Sequence, residues 1–427
     1  MNKTTSVTFS KSSLKGEIDA PSSKSFTHRA IIAASLAPGK SKISNISYSD
    51  DIHATIEAVR SYGARVDLHD DYCDVEGVKE INEIPHTVDC HESGSTLRFM
   101  IPIFALSQKR FTLTGEPSLM RRPLTVYEKL FKSRNNEFLL QHNILRIDGG
   151  LAPGDYQIDG SISSQFLTGL MFALPLLKGD STIKVLHKLE SESYLGMTMD
   201  LLKEFGIIIN KTYDGYFIKG NQTYKAKDYN VEGDYSQAAF FLVGGQLNGN
   251  VKVTNLEHDS HQGDKVLLKI LHDMKGRIIY SEKGFISKKT QTYGTTIDLS
   301  DCPDLGPILS LIAAVSEGKT TITHIERLRI KESDRVHSTV DTLQKLGAKI
   351  TATKNDIIVH GKPSLLGGVT VDSHNDHRIA MMVAIAGVVC ERPVTLTHPY
   401  AIRKSYPDFY HDYALLGGNV IKKGLIR

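Results

Sequence analysis

The chain has 427 residues, 40% of them hydrophobic, and sets 51 Lys and Arg against 48 Asp and Glu, a formal charge of only +3. That balance excludes a general nucleic-acid-binding protein, and apolar runs far shorter than a bilayer exclude a membrane-spanning one. Cys73, Cys90, Cys302 and Cys390 have neither C-x-x-C spacing nor a metal-type His cluster nearby, and no signal peptide opens the chain, so a cytoplasmic protein with free buried thiols and two or three domains is expected.

From the N-terminus, the first junction is Pro21-Ser22-Ser23-Lys24-Ser25-Phe26-Thr27-His28-Arg29, which runs straight into the small-residue stretch RAIIAASLA. Five more polar clusters run into similar stretches: RFMIPIFAL, FLTGLMFALPLL, AAFFLVGGQL, GPILSLIAA and RIAMMVAIAG. With Ser25, Ser95, Gln165, Gln237, Leu305 and His377 as markers, the junctions lie 70, 70, 72, 68 and 72 residues apart. A second register agrees, because amphipathic segments such as LLKEFG and TLQKLG end at Gly63, Gly206, Gly276, Gly347 and Gly417. The slot near residue 135 holds Arg134-Asn135-Asn136, and Asn replaces Gly at helix C-caps. Short β-branched runs, YCDVEGV, STIKVLHK, NVKVTNLE, TTITHIE and GVTVDSH, lie between the helical pieces.

Six α/β repeats of about 71 residues follow from this spacing, each too small to bury its own faces. Three repeats packed together would form a domain, with the helix that is apolar all round inside, sheets around it, and the amphipathic helix outside. Parallel inner helices would place their N-termini at one end of each domain, where unpaired N–H groups and fractional positive charge suit anions.

Positions that break the repeat are the candidates for chemistry. At the first junction Lys24 and Arg29 stand against the helix dipole, which favours a phosphate or carboxylate site. The second, Glu92-Ser93-Gly94-Ser95-Thr96, and the third, Ser161-Ile162-Ser163-Ser164-Gln165, are rich in hydroxyls and amides, and Gly94 admits close approach to a ligand or forms a plain turn. Arg121-Arg122-Pro123 is a solvated loop or a carboxylate clamp. Asp304 follows Pro303 at the fifth junction, as an N-cap or as a lone acid among cations. Arg327 to Arg335 carries six charges in nine residues, with Ser333 or Asp334 suited to cap the next helix. The sixth junction, His374-Asn375-Asp376-His377-Arg378, precedes Arg403-Lys404, and its His-x-x-His pair has no Cys or Glu to complete a zinc set. Lys24, Arg29, Arg122, Lys331, Arg335, Arg378 and Lys404 against few acids, chiefly Asp304 and Glu332, fit polyanionic substrates with an acid–base step between them.

These segments in this order resemble the enolpyruvyl transferases: P-S-S-K-S at 21 to 25, S-G-S-T-L-R at 93 to 98, G-E-P and R-R-P-L at 115 to 124, S-S-Q at 163 to 165, K-E-S-D-R at 331 to 335, N-D-H-R at 375 to 378 and R-K-S-Y-P-D at 403 to 408. The resemblance implies an inside-out α/β barrel fold of two similar domains, each of three βαβαββ-type repeats, at 21–232 and at 1–20 plus 233–427, with the active site in the cleft between them. It implies transfer of the enolpyruvyl group of phosphoenolpyruvate to the 5-hydroxyl of shikimate 3-phosphate, a step of chorismate and aromatic amino-acid biosynthesis, with no metal or organic cofactor, by a monomer.

Carried over position by position, Lys24, Ser25, Arg29, Ser163, Ser164, Gln165, Ser191, Asp304, Arg327 and Lys331 fall at the shikimate-phosphate site. Lys24, Gly94, Arg122, Gln165, Arg335, Arg378 and Lys404 fall at the phosphoenolpyruvate site. Asp304 is the expected base, with Lys24, and Glu332 the acid, while His377 and Lys404 support the leaving phosphate. Gly94 is of the type found in glyphosate-sensitive members, whereas Glu92 stands where Asn is usual and Ser95 where Thr is usual. Two rivals remain at this stage. The sister transferase acting on UDP-N-acetylglucosamine typically carries a cysteine in the loop that here reads GEPSLMRRP, and a non-catalytic polyanion-binding repeat protein gives Asp304 and Glu332 no task.

Overall fold

The computed structural model describes residues 6–82, 87–187 and 189–423. Residues 1–5 of the expected N-terminal strand and Lys188 of STIKVLHK lie outside them. The chain divides into two compact units, Ser22–Val231 on one hand and Met1–Pro21 with Glu232–Arg427 on the other. Each has a hydrophobic core of its own. Among the described residues no helix is long and apolar enough to cross a membrane.

Among the described residues each unit holds three four-stranded sheets, to which the second adds a two-stranded sheet of Leu365–Gly367 and Cys390–Arg392, and the six larger sheets share one plan. A strand leads into an inner helix, a second strand pairs parallel to the first, an outer helix follows, and a hairpin adds two antiparallel strands. The third repeat shows it in full: Gly154–Asp159, helix Ser164–Ala173, Ser181–Leu186, helix Glu192–Glu204, then Ile209–Lys211 and Gly215–Ile218. Alternating burial along these strands, as in Lys319–Thr323, is the signature of sheets covered on one face.

Two departures from the plan close each unit on itself. In the first sheet the parallel edge strand is Tyr229–Asn230, the last piece of that unit. In the other unit the N-terminal segment forms two strands that serve two sheets. Ser6–Ser10 lies between Val394–Thr397 and Asn419–Lys423, and Leu14–Asp19 pairs parallel with Gly249–Thr254. Without Ser6–Ser10 the sixth sheet would lack the strand that every other sheet obtains from its own hairpin.

The inner helices are Lys24–Ser35, Gly94–Phe104, Ser164–Ala173, Tyr235–Asn248, Gly306–Ala314 and His377–Ala386. Nearly every residue in them is buried, which small apolar side chains permit. Ser35 and Ser310 satisfy their hydroxyls on carbonyls of their own helix. The second and third inner helices cross at Gly169, where a Cβ would stand 2.6 Å from the Arg98 carbonyl and 2.4 Å from the Tyr127 hydroxyl. That hydroxyl stands 2.9 Å from the Arg98 carbonyl and 2.8 Å from the Phe166 carbonyl, and its one proton, shared between them, ties the two helices.

Outer helices bury one face only, and their C-termini turn through left-handed residues at Gly63, Asn135, Gly206, Gly347 and Gly417. The fourth repeat corrects the expected register, since the left-handed residue there is Lys275. Gly276 instead answers to a close approach, because a Cβ on it would stand 2.8 Å from the Leu271 backbone carbonyl and 2.9 Å from Gln246 Oε1. All four cysteines are free and buried, and burial pushes their thiols upward, that of Cys73 to about 12.

Candidate active site

In the unit Ser22–Val231 the inner helices begin on serine hydroxyls. Ser23 accepts from the Phe26 N–H, Ser93 from Thr96 and Ser163 from Gln165. These neutral caps leave the positive end of each helix uncompensated. Lys24 opens the first helix, and its Nζ lies 2.6 Å from Asp51 Oδ2 at the start of helix Asp50–Arg60. One turn on, Arg29 is buried and donates to Thr198 Oγ1 at 2.8 Å, to the Ser25 carbonyl at 2.8 Å and to the Tyr194 carbonyl at 3.3 Å, between the rings of Phe99 and Tyr194. All three partners are neutral, and burial draws its guanidinium down to about 10. Ser191, at the head of helix Glu192–Glu204, is buried with a left-handed φ of 55°.

A second group forms around Gly94. A Cβ there would meet Arg98 Nη1 at 2.9 Å, Arg122 Nη1 at 3.0 Å and Gln165 Oε1 at 3.7 Å. Gln165 accepts from Arg98 at 2.7 Å and donates to Ser95 at 3.0 Å, so one amide ties the third junction to the second. Two guanidiniums at the N-terminus of one inner helix make a cationic corner. Arg121 is exposed and Arg122 buried, so the tandem arginines split between solvent and interior.

Beneath these groups runs a buried chain of hydrogen bonds, His28 Nδ1 to Thr55 to Thr96 to Ser93, each step 2.7 Å. Donor counting orients it. Thr96 donates to Ser93, so Thr55 must donate to Thr96, which leaves His28 to donate through Nδ1–H. Burial first, then Lys24 and Arg29, hold the His28 ring well below its ordinary pKa, so it is neutral.

In the other unit the junctions carry carboxylates. Asp234 and Asp376 cap their helices. Asp304 lies in the turn Pro303–Leu305 and caps nothing. Its Oδ1 accepts from Lys331 at 3.2 Å and Arg335 at 2.8 Å, and its Oδ2 from Arg378 at 3.1 Å. Burial alone would raise its pKa, but Lys331, Arg378 and Arg335 together hold it well below the ordinary carboxylate range. Its side chain is 20% exposed.

Arg335 is buried among three carboxylates, 2.8 Å from Asp304, 2.5 Å from Glu332 and 2.8 Å from Asp376. Burial would lower its pKa, and those three raise it well above the ordinary value. Asp376, with no exposure, also accepts from Ser333 and from the Arg378 N–H. Arg378 donates to the carbonyl and hydroxyl of Ser236. Lys404 donates to the Asn375 carbonyl at 2.5 Å, and His377 Nδ1 lies 4.0 Å from Asp376 Oδ1.

The open alternatives narrow here. Asp304 is not an N-cap, and of the two candidates Asp334 caps helix Arg335–Lys345. The expected excess of cations fails for the cluster itself, where Lys331, Arg335 and Arg378 face Asp304, Glu332 and Asp376. Carboxylates offset the cost of burying the guanidiniums of Arg335 and Arg378, a compensation that Arg29 in the other unit lacks. Arg327 stands on the turn Glu326–Ile330, near enough to Lys331 to disfavour its charge. Among the described residues no group of His, Cys, Asp and Glu is arranged to hold a metal. Arg98 and Asp376 lie inside the motifs S-G-S-T-L-R and N-D-H-R, whereas no motif marks Asp51 or Ser236.

The sequence matches the profile of EPSP synthase (3-phosphoshikimate 1-carboxyvinyltransferase) over residues 9–412. It is 46% identical to the 3-phosphoshikimate 1-carboxyvinyltransferase of Clostridium novyi (strain NT) over 419 residues, 95% of this chain and 96% of that one. It is 44% identical to that of Clostridioides difficile (strain 630) over 422 residues, 96% and 97% of the two chains. The solved EPSP synthase of Acinetobacter baumannii shares the fold, with a TM-score of 0.83 at 23% identity, over 99% of this chain and 100% of that one. With the profile matched along nearly the whole chain, and relatives this similar end to end, the protein belongs to the EPSP synthase family.

Proposed function

We propose that this chain transfers the enolpyruvyl group of phosphoenolpyruvate to the 5-hydroxyl of shikimate 3-phosphate and releases inorganic phosphate. The hydroxyl oxygen adds to C2 of the enol as its methylene carbon gains a proton. The C2–O bond to phosphate then breaks as a methyl proton leaves. We assign Lys24, Ser25, Arg29, Ser163, Ser164, Gln165, Ser191, Asp304, Arg327 and Lys331 to shikimate 3-phosphate, and Lys24, Gly94, Arg122, Gln165, Arg335, Arg378 and Lys404 to phosphoenolpyruvate. The left-handed Ser191 supports its place in this set, because strain of about 1–3 kcal/mol in a buried non-glycine residue collects at ligand sites.

The observation that carries the acid–base roles is the setting of Asp304. It is the junction carboxylate that caps no helix, is partly open, and is held ionised by three cations. A phosphoenolpyruvate anion on Arg335 and Arg378 would take over two of them and raise the basicity of Asp304 when the 5-hydroxyl proton must be accepted. Glu332, on the Arg335 guanidinium, protonates the methylene and later removes the methyl proton, its neutral form favoured by the negative charge of bound ligands. Lys404 and His377 stabilise the departing phosphate, and the scheme calls on no metal or organic cofactor. We also assign the chain to the cytoplasm as a monomer, the latter checked by sedimentation.

Phosphate release from phosphoenolpyruvate, with shikimate 3-phosphate or UDP-N-acetylglucosamine as acceptor, tests the proposal. Release with shikimate 3-phosphate alone is expected. Release with the sugar nucleotide alone would reassign the acceptor, and release with neither by folded protein would leave a binding role.

A further inference from the structure

Glu92 puts a carboxylate two residues before Gly94, beside a corner lined by Arg98 and Arg122. On charge alone it should oppose an anion there. Its Oε1 accepts a 2.7 Å hydrogen bond from the Ser118 hydroxyl, and both residues are half-buried. Ser118 lies in the four-residue helix Pro117–Met120, which ends two residues before Arg122. A single turn does not hold itself in water, so tertiary contacts set its place.

Two further contacts do so: Leu119 and Met120 are buried in the core, and the Glu116 N–H donates to the His91 carbonyl at 2.8 Å, while within the turn itself the Arg122 N–H donates to the Leu119 carbonyl at 3.0 Å. Those anchors fix the depth and ends of the turn. Glu92 holds its half-buried side through a charge-assisted bond, of a kind roughly twice as strong as a neutral one.

We propose that Glu92 is a positioning residue for Arg122. By holding Ser118 it sets where the turn delivers the Arg122 guanidinium against Gly94, and thereby the affinity for the phosphoenolpyruvate anion. The inference rests on the assignment of Arg122 to phosphoenolpyruvate made above.

Steady-state phosphate release, with each substrate varied at saturation of the other, tests it on Ser118→Ala, Glu92→Ala, Glu92→Gln and Arg122→Lys. Ser118→Ala and Glu92→Ala are expected to raise KM for phosphoenolpyruvate about 3- to 10-fold, with kcat and KM for shikimate 3-phosphate within about twofold, the pattern of lost uniform binding. Glu92→Gln keeps a carbonyl acceptor for Ser118 through a weaker neutral bond and is expected to recover part of the loss, with a KM between those of the parent and Glu92→Ala. A parent-like Ser118→Ala, a Glu92→Gln as impaired as Glu92→Ala, or a lowered KM in Glu92→Ala would each overturn the proposal. Arg122→Lys separates the two claims. If it raises KM for phosphoenolpyruvate while the other variants do not, only the positioning role falls, and if it too is parent-like, the assignment of Arg122 falls with it.

Discussion

The two units share a fold and differ at their helix starts. In Ser22–Val231 the three inner helices begin on serine, at Ser23, Ser93 and Ser163. In the other unit two begin on aspartate, at Asp234 and Asp376, and the third follows a turn that holds Asp304. Serine and aspartate cap helices about equally well, so helix stability does not explain the division. Charge does. A serine cap leaves the helix end positive, and Arg29 beside it is bound by neutral oxygens only. An aspartate cap offsets its own helix end and collects cations, as Asp376 collects Arg335. One unit therefore leaves its inner helix starts positive, and the other sets carboxylates against buried cations.

Replacing the carboxylates should break this contrast most severely. Asp304→Ala is expected to lower kcat by roughly 10²- to 10⁴-fold, the usual range for a positioned base, in stopped assays of phosphate release. Activity within a few-fold of the parent would remove Asp304 from its role. Asp376→Ala acts on stability, because it strips two hydrogen bonds from a guanidinium that is 1% exposed. Breaking one side of a buried pair costs about 3–5 kcal/mol, read as a lower urea midpoint. A midpoint unchanged in Asp376→Ala would mean that Asp304 and Glu332 suffice for Arg335.

Exchanging the cap type sharpens the comparison at smaller cost. Ser163→Asp should leave the melting temperature within about 2 °C, since the cap is kept. It should weaken shikimate 3-phosphate binding roughly 10- to 100-fold, because a carboxylate near a bound anion repels it by about 1–3 kcal/mol. Unchanged affinity, measured by calorimetry, would show that the helix start is not where this ligand's charge lies. Thr55→Val keeps shape but removes the hydroxyl between His28 and Thr96. An orphaned buried donor costs about 1–3 kcal/mol, whereas Thr55→Ser should retain most of that stability in the same denaturation experiment.

The comparison also marks what the sequence made legible. The repeat, the two helix types and the polar helix starts were readable because each depends on residues near in sequence: small apolar runs, caps and turn residues. Lys24, Arg29, Asp304 and Arg378 stood out as charges at apolar helix starts. What did not show was pairing over distance. Nothing local in the sequence around Arg335 says that Asp376, 41 residues on, shares its proton-donating edge, or that Asp51 meets Lys24. The split of the N-terminal segment into Ser6–Ser10 and Leu14–Asp19, each completing a different sheet, is likewise decided by partners hundreds of residues away. At Gly276 the local rule misled, because the glycine answers to the Leu271 carbonyl and the Gln246 side chain and leaves the left-handed turn to Lys275.

Acidity offers the finest separation of the two units, because His28 in one and Asp304 in the other are buried groups displaced in pKa in different windows. Asp304 is held below its ordinary value, so its contribution to stability is fully present above the unfolded aspartate pKa of about 3.9 and is lost as pH falls through the lower folded value. His28 is held neutral. Its contribution is complete above the unfolded histidine pKa of about 6.5 and declines as pH falls below that, because only the unfolded chain then takes up the proton. His28→Asn keeps a donor for Thr55 and should flatten the loss of stability between roughly pH 6.5 and 5. Asp304→Asn should leave that interval unchanged and flatten only the slope below about pH 4. Urea midpoints of parent and both variants across pH 3 to 8 decide it. If His28→Asn leaves the upper slope as steep as in the parent, the buried ring is not what that unit loses to acid, and another titrating group carries the slope.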